Sequence, residues 1–137
     1  MLANTQIRIN NGYLQFINEM DRIEQGYKII SYDFARQQQT FAYTKGAKYR
    51  GKHPVIEITL STGEKVTCTG TQLFFLPGGK PIAARSIEPG AKLASVFSAP
   101  MTVKDISLTK EMVVYSLQVY NGENFVLCSG GLITRNS

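Results

Sequence analysis

Turn-forming residues recur along this chain at intervals that leave little room for helices of ordinary length. The groups are of the Asn-Gly, Thr-Gly, Pro-Gly-Gly and Gly-Gly kind, and they begin at Asn11, Thr62, Pro77, Asn121 and Gly130. Such groups tolerate the positive φ angles that tight β-hairpins require. The segments between them have the length of short strands. We therefore predict an all-β chain with a sandwich or barrel-like body.

The segments between the turns are strand-like: residues 6–9, 55–60 and 113–120 alternate apolar and polar residues, as half-buried strands do, and residues 73–76 form a short apolar run. Predicted strands cover residues 6–9, 28–32, 55–60, 73–76, 113–120 and 124–127. We expect the last two to form a hairpin across Asn121-Gly122. Short helices are predicted at residues 17–22 and 83–87, and polar loops at residues 44–52 and 98–110.

The composition indicates one globular domain with a slight excess of positive charge. The chain has 137 residues, of which 43% are hydrophobic, and 15 Lys and Arg against 10 Asp and Glu give a net charge of +5. This excess is compatible with a polyanionic partner, but the basic residues are spread out, and a solvated loop explains the tightest group. No apolar run is long enough to span a membrane, and no signal peptide precedes the first strand, so we expect a cytoplasmic protein.

The two cysteines and the single histidine do not form a metal-binding pattern. Cys68 and Cys128 are far apart in apolar runs, and His53 is the only histidine, so we expect no metal and no cofactor. We interpret both cysteines as reduced, buried residues; a structural disulfide between them is the alternative.

The last two residues suggest a chemical function. The side-chain amide of an asparagine such as Asn136 can attack its own backbone carbonyl, which forms a succinimide and releases the next residue, here Ser137, as an amine. A rigid scaffold that aligns the amide can turn this slow reaction into a programmed cleavage. The alternative interpretation is an ordinary polar tail at a domain end.

Three separated blocks of sequence resemble Hint domains, the self-processing modules of inteins and hedgehog proteins. The first comprises residues 2–7, 23–26 and 30–33. The second runs from residue 61 to residue 90 and contains Thr69 and Gln72 where the family has a Thr-x-x-His pattern. The third comprises residues 114–119, 124–126 and 131–137 and is similar to the C-terminal block of inteins.

The resemblance covers nearly the whole chain and points to a mini-intein, because the length leaves no room for a homing endonuclease domain. It implies an all-β, horseshoe-like Hint fold of many short antiparallel strands with one or two short helices. Residues 1–136 would be the splicing domain, and Ser137 would be the first residue of the downstream flank. The reaction implied is single-turnover protein splicing: an acyl shift at the N-terminal junction, transesterification to Ser137, and cyclisation of Asn136. The partners would be flanking polypeptides in cis, or a complementary fragment if the domain is split; we expect a monomer, and neither a membrane nor nucleic acid as a partner.

Two positions of the first two blocks depart from the family pattern. Met1 lies where a Cys or Ser nucleophile is usual, and a thioether cannot form an acyl ester, so we expect the first step to be disabled. Met1 would be either an engineered replacement or an initiator residue. Gln72 replaces a histidine, and its amide can donate hydrogen bonds but cannot transfer protons near neutral pH. Thr69 would stabilise the developing oxyanion.

The third block departs from the pattern as well. Arg135 replaces the penultimate histidine and would stabilise charge at the carbonyl of Asn136, because arginine is a poor acid. Ser116 lies where many inteins have an aspartate, with an outward-facing strand residue as the alternative. We expect His53 to be a surface or capping residue and Cys128 to serve in packing.

Two other functions remain alternatives: a small basic β-barrel that binds nucleic acid, and a hedgehog-like domain that cleaves to an external nucleophile. If the domain is naturally split, the break would lie in residues 24–26, 44–52 or 98–110.

Overall fold

The computed structural model describes residues 1–2, 4–8, 14–16, 27–96, 99–127 and 130–136. Antiparallel β-strands dominate this part of the chain, so the all-β prediction is confirmed. The strands are β1 (Gln6–Arg8), β2 (Leu14–Phe16), β3 (Tyr27–Asp33), β4 (Gln38–Leu60), β5 (Lys65–Thr69), β6 (Leu73–Phe75), β7 (Pro81–Ala83), β8 (Lys92–Leu93), β9 (Met101–Val119), β10 (Phe125–Val126) and β11 (Ile133–Arg135).

The strands form three sheets. The largest has the order β3-β4-β9-β8, with β5 also paired to β4; the second has the order β10-β11-β6-β7; β1 and β2 form a two-stranded sheet. Two 3₁₀ turns, Ala84–Ser86 and Tyr120–Gly122, connect strands. The first confirms the position of the short helix predicted at residues 83–87, whereas residues 17–22 lie outside the described part. The described residues contain no helix with the length and apolar character that a membrane crossing requires.

Two predicted loops are wrong. Residues 44–52 belong to β4, which has 23 residues, and residues 101–110 belong to β9, which has 19. Residues 44–52 pair with residues 113–119 of β9, and residues 103–108 pair with residues 56–60 of β4. About half of the side chains in the two predicted loops face solvent, so the alternation that reveals a half-buried strand is weak there. Gly46 and Gly51 have positive φ angles at shifts in the pairing register, which makes them bulge residues rather than loop residues.

The predicted hairpin between residues 113–120 and 124–127 is also wrong. Asn121 and Gly122 both have φ near 62°, as a tight turn requires, but β9 pairs with β4 while β10 pairs with β11. After this turn the chain leaves β9, because the side chain of Asn124 forms hydrogen bonds with β3. The turn chemistry was therefore predicted correctly and the partner strand was not.

One large apolar cluster unites the sheets. Its largest fully buried side chains are Phe74, Phe125, Met1, Ile7, Ile29, Ile58, Leu60, Leu93, Leu117 and Leu127. They come from the N-terminus, from both long strands and from the four-stranded sheet, and the same cluster includes Leu132 just before β11. Burial of these residues therefore holds the N-terminus and the segment before β11 in one core with Leu117 of β9.

Asn124 forms a buried polar contact that holds the segment before β10 against β3. Its Oδ1 accepts hydrogen bonds from Ser31 Oγ at 2.7 Å and from the backbone N–H of Tyr32 at 2.8 Å. Its Nδ2 donates to the carbonyl of Tyr32 at 2.9 Å. Each bond satisfies a group that would otherwise be buried without a partner.

We predict that Asn124→Ala lowers the free energy of unfolding by roughly 2–3 kcal/mol, because it leaves buried groups of β3 without partners. Urea denaturation measures this change. An unchanged m-value would show that the two proteins expose the same surface on unfolding, so that the difference is one of stability. Glu123→Gln is the matched control, since its side chain is exposed, and it should change stability by less than about 0.5 kcal/mol. Equal effects of the two substitutions would contradict the role of Asn124.

Candidate functional site

Met1 is bound by its backbone to β9 near the C-terminal end of that strand. Its amino group donates to the carbonyl of Tyr115 at 2.9 Å, and the N–H of Tyr115 donates to the carbonyl of Met1 at 2.7 Å. The two residues therefore exchange both hydrogen bonds, as a directly opposed pair does in an antiparallel sheet. Met1 as a whole residue is 2% exposed, and it packs into the main core.

Asn136 binds the same strand two residues further on. Its Nδ2 donates a hydrogen bond to the carbonyl of Leu117, and its Oδ1 is buried with no hydrogen-bond partner among the described residues. Alternate residues of a strand direct their backbone groups to the same edge, at a spacing of about 7 Å for two residues. Met1 and Asn136 are therefore neighbours on one edge of β9.

Gln72 holds the strand that leads to Asn136. Its side chain is buried, and Nε2 donates to Thr134 Oγ1 at 2.7 Å. Thr134 in turn donates to the carbonyl of Leu73 at 2.7 Å. The amide of Gln72 is thus part of a fixed hydrogen-bond chain between β6 and β11.

Most of the candidate site residues predicted from the sequence line one cavity of about 610 Å³. Met1, Thr69, Gln72, Ser116 and Asn136 all line it. Thr69 ends β5, and its Oγ1 lies 3.3 Å from Thr71 Oγ1.

Arg50 and His53 also line this cavity, and sequence reasoning did not place them there. Arg50 Nε donates to Ser116 Oγ at 2.9 Å, and His53 Nε2 lies 2.7 Å from the carbonyl oxygen of Arg50. His53 is exposed, as predicted for a surface residue. The pairing of Lys48 with Ser116 brings this part of β4 beside β9, and a segment interpreted as a loop could not reveal that register.

Arg135 does not line this cavity. Its guanidinium carbon is 5.9 Å from the ring centroid of Phe75, and it lines a different cavity, together with Phe34 and Phe41. A role for Arg135 at the carbonyl of Asn136 stays a prediction. Ser137 and Cys128 lie outside the described residues.

Cys68 is buried and free, so a disulfide at this residue is not formed. Burial raises the pKa of its thiol to about 12, and the nearby amino group of Met1 opposes that change. Burial of the Met1 amine lowers the pKa of that amine, whereas its electrostatic interaction with Cys68 acts to raise it. The described residues contain no group of three or more His, Cys, Asp or Glu side chains that could hold a metal ion.

Solved structures with this fold are mini-inteins and related domains. A DnaB intein from Synechocystis sp. PCC 6803 superposes with a TM-score of 0.84 at 18% identity, over 98% of this chain and 96% of the other. The DnaX mini-intein from Spirulina platensis gives a TM-score of 0.78 at 25% identity, over 98% and 97%. A bacterial intein-like domain from Clostridium thermocellum gives 0.83 at 20% identity, over 98% and 96%.

The chain has the mini-intein fold. The predicted Hint architecture and the resemblance to mini-inteins are confirmed at this level, with the correction that two of the strands are long. No protein-family model and no curated protein sequence matches the chain. The comparisons favour neither the nucleic-acid-binding barrel nor the hedgehog-like domain.

The buried amine of this mini-intein fold gives a prediction about pH. Its pKa is lowered in the folded state, so between that pKa and the ordinary value of about 8 the unfolded chain binds more protons. Stability should therefore rise with pH across this window and be lost as pH falls through the folded pKa. Thermal unfolding from about pH 6 to pH 8 should show this rise for the free amine, and N-terminal acetylation should remove it. The same slope in both forms would contradict the prediction.

Proposed function

We propose that this chain is a protein-splicing domain that acts in cis on polypeptides joined to its two ends, with residues 1–136 as the domain and Ser137 as the first downstream residue. The observation that carries the proposal is the binding of Met1 and Asn136 to one edge of β9, at the carbonyls of Tyr115 and Leu117. Splicing requires the two junctions to be close together, because the acyl group must pass from one to the other.

Cyclisation of Asn136 is the C-terminal step of the proposal. Nδ2 attacks the backbone carbonyl carbon of the same residue, the peptide bond to Ser137 breaks, and one proton passes from Nδ2 to the released amine. The hydrogen bond to Leu117 restrains the rotation of the side-chain amide. Gln72 contributes by holding Thr134, two residues before Asn136, so we assign it a positioning role rather than proton transfer.

The N-terminal step would place an acyl group on the side chain of residue 1. Met1 cannot accept it, and we infer that the chain as it stands is disabled there. Thr69 lines the same cavity and offers a hydroxyl to the oxyanion, while Ser116, held by Arg50, lies beside the residue that binds Met1. Ser137 would then receive the acyl group. Arg135 would act only if its side chain left Phe75.

A fusion between two reporter proteins tests the complete reaction. We expect Met1→Cys to produce ligated reporters or thiol-dependent release of the upstream reporter, since a thiol replaces the thioether. The unchanged Met1 fusion is the matched control and should release only the downstream reporter. Mass spectrometry of the products identifies the junctions. If the Met1→Cys fusion yields no ligated product, no released flank and no branched ester, the splicing proposal fails.

The second test concerns Asn136. In the Met1 fusion, Asn136→Ala should reduce release of the downstream reporter below detection, because no side-chain amide remains to attack the carbonyl. Gln38→Ala removes an exposed amide outside the cavity and should leave the release rate unchanged. Continued cleavage at the same bond in the Asn136→Ala fusion would rule out cyclisation.

A further inference from the structure

The edge of β9 that binds Met1 and Asn136 has a defined register. Its opposite edge pairs with β4, through Lys48 with Ser116 and Ala47 with Leu117. On the edge facing the cavity, Tyr115 uses both its N–H and its carbonyl for Met1. The next residue whose backbone groups face the same way is Leu117, since alternate residues of a strand share an edge.

The pairing of Met1 with Tyr115 fixes how a polypeptide joined to the amino group of Met1 would align with this edge of β9. Because Met1 and Tyr115 are a directly opposed antiparallel pair, the first upstream residue lies opposite Ser116 and the second lies opposite Leu117. The N–H of the second upstream residue then points at the carbonyl of Leu117. That carbonyl already accepts the hydrogen bond from Asn136 Nδ2.

We propose that the edge of β9 from Tyr115 to Leu117 is a docking site for the residues upstream of Met1, and that the second of them competes with Asn136 for the carbonyl of Leu117. This inference rests on the proposed function in that it concerns the upstream flank of a splicing domain. The occupant is an extended main chain, bound by backbone hydrogen bonds and therefore largely independent of its side chains. Its one sequence requirement is a residue other than proline at the second upstream position, since proline has no N–H to donate.

The competition links the two junctions. Asn136 has no other side-chain hydrogen bond among the described residues, and its Oδ1 is unpaired, so displacement from Leu117 removes the contact that restrains its amide. While the upstream flank occupies the edge, Asn136 is released from its position for cyclisation. Once the flank has left, Nδ2 regains the carbonyl. The order of the two steps would thus follow from one shared hydrogen-bond acceptor.

The first experiment measures the competition without any cleavage. Full chains ending at Ser137, with ¹⁵N-labelled asparagine, begin either at Met1, after four alanines, or after the same four residues with proline at the second upstream position. Solvent exchange of the Asn136 side-chain amide is followed by NMR, with its signal assigned by loss in Asn136→Ala. We expect exchange to be about two- to tenfold faster in the alanine extension than in the other two chains, because loss of one net hydrogen bond changes an equilibrium by about that factor.

A proline at the third upstream position is the matched control, because the N–H of that residue faces away from the edge. It should behave like the alanine extension. Equal exchange in all four chains, or equal effects of proline at the second and third positions, would overturn the proposal, since the second result would reflect chain stiffness alone.

The second experiment repeats the same four N-termini, three upstream sequences and the chain that begins at Met1, in fusions to a downstream reporter. Proline at the second upstream position should raise the rate of C-terminal release about two- to tenfold over alanine, and proline at the third position should not. Failure of all four fusions to cleave, combined with the expected exchange pattern, would refute the proposed function and leave the docking site intact. Cleavage at one common rate would refute the link between the junctions.

Discussion

The pairing of β4 with β9 is the interaction on which the rest of the molecule depends. It occupies one edge of β9 along most of that strand, from the pair Thr44–Val119 to the pair Leu60–Val103. The other edge, near Tyr115 and Leu117, is then left to the two ends of the chain. Bulges at Gly46 and Gly51 let the long pair bend without breaking. Two termini 135 positions apart in sequence are neighbours because a single strand receives both.

The candidate site is built from fixed hydrogen bonds more than from ionisable groups. The carbonyls of Tyr115 and Leu117 position Met1 and Asn136, and Gln72 positions Thr134. Such bonds lie at the ends or along the edges of strands, which gives them the rigidity of the sheet. This arrangement supplies proximity and orientation, which are large contributions to a reaction between groups of the same chain. Proton transfer is the contribution it leaves weakest, since Gln72 has no titratable group, Arg135 packs against Phe75, and the exposed His53 contacts the carbonyl of Arg50 through Nε2.

The sequence predicted those features that local patterns control. Apolar runs bounded by turn residues located β3 and β6, alternation located the end of β4, and the Asn121-Gly122 pair correctly predicted positive φ angles. The loops proposed at residues 44–52 and 98–110 failed because strands exposed on both faces carry the same polar residues as loops. The partner of β10 depends on Asn124 reaching β3, 92 and 93 positions away, and no local pattern contains that contact. The same holds for Arg50, which reaches the cavity only through the register of β4 on β9.

The environment of the Met1 nitrogen suits a peptide group better than an ammonium ion. Both donate to the carbonyl of Tyr115, but only the ammonium loses the hydration of a full charge, and burial accordingly lowers the pKa of that amine. A peptide N–H at this position would keep the hydrogen bond without the charge penalty. The edge of β9 therefore favours a main chain that continues past Met1, and such a chain would meet Asn136 at the next inward-facing carbonyl. In the proposed reaction, closeness of the two junctions and competition between them would both follow from the two-residue spacing of Tyr115 and Leu117.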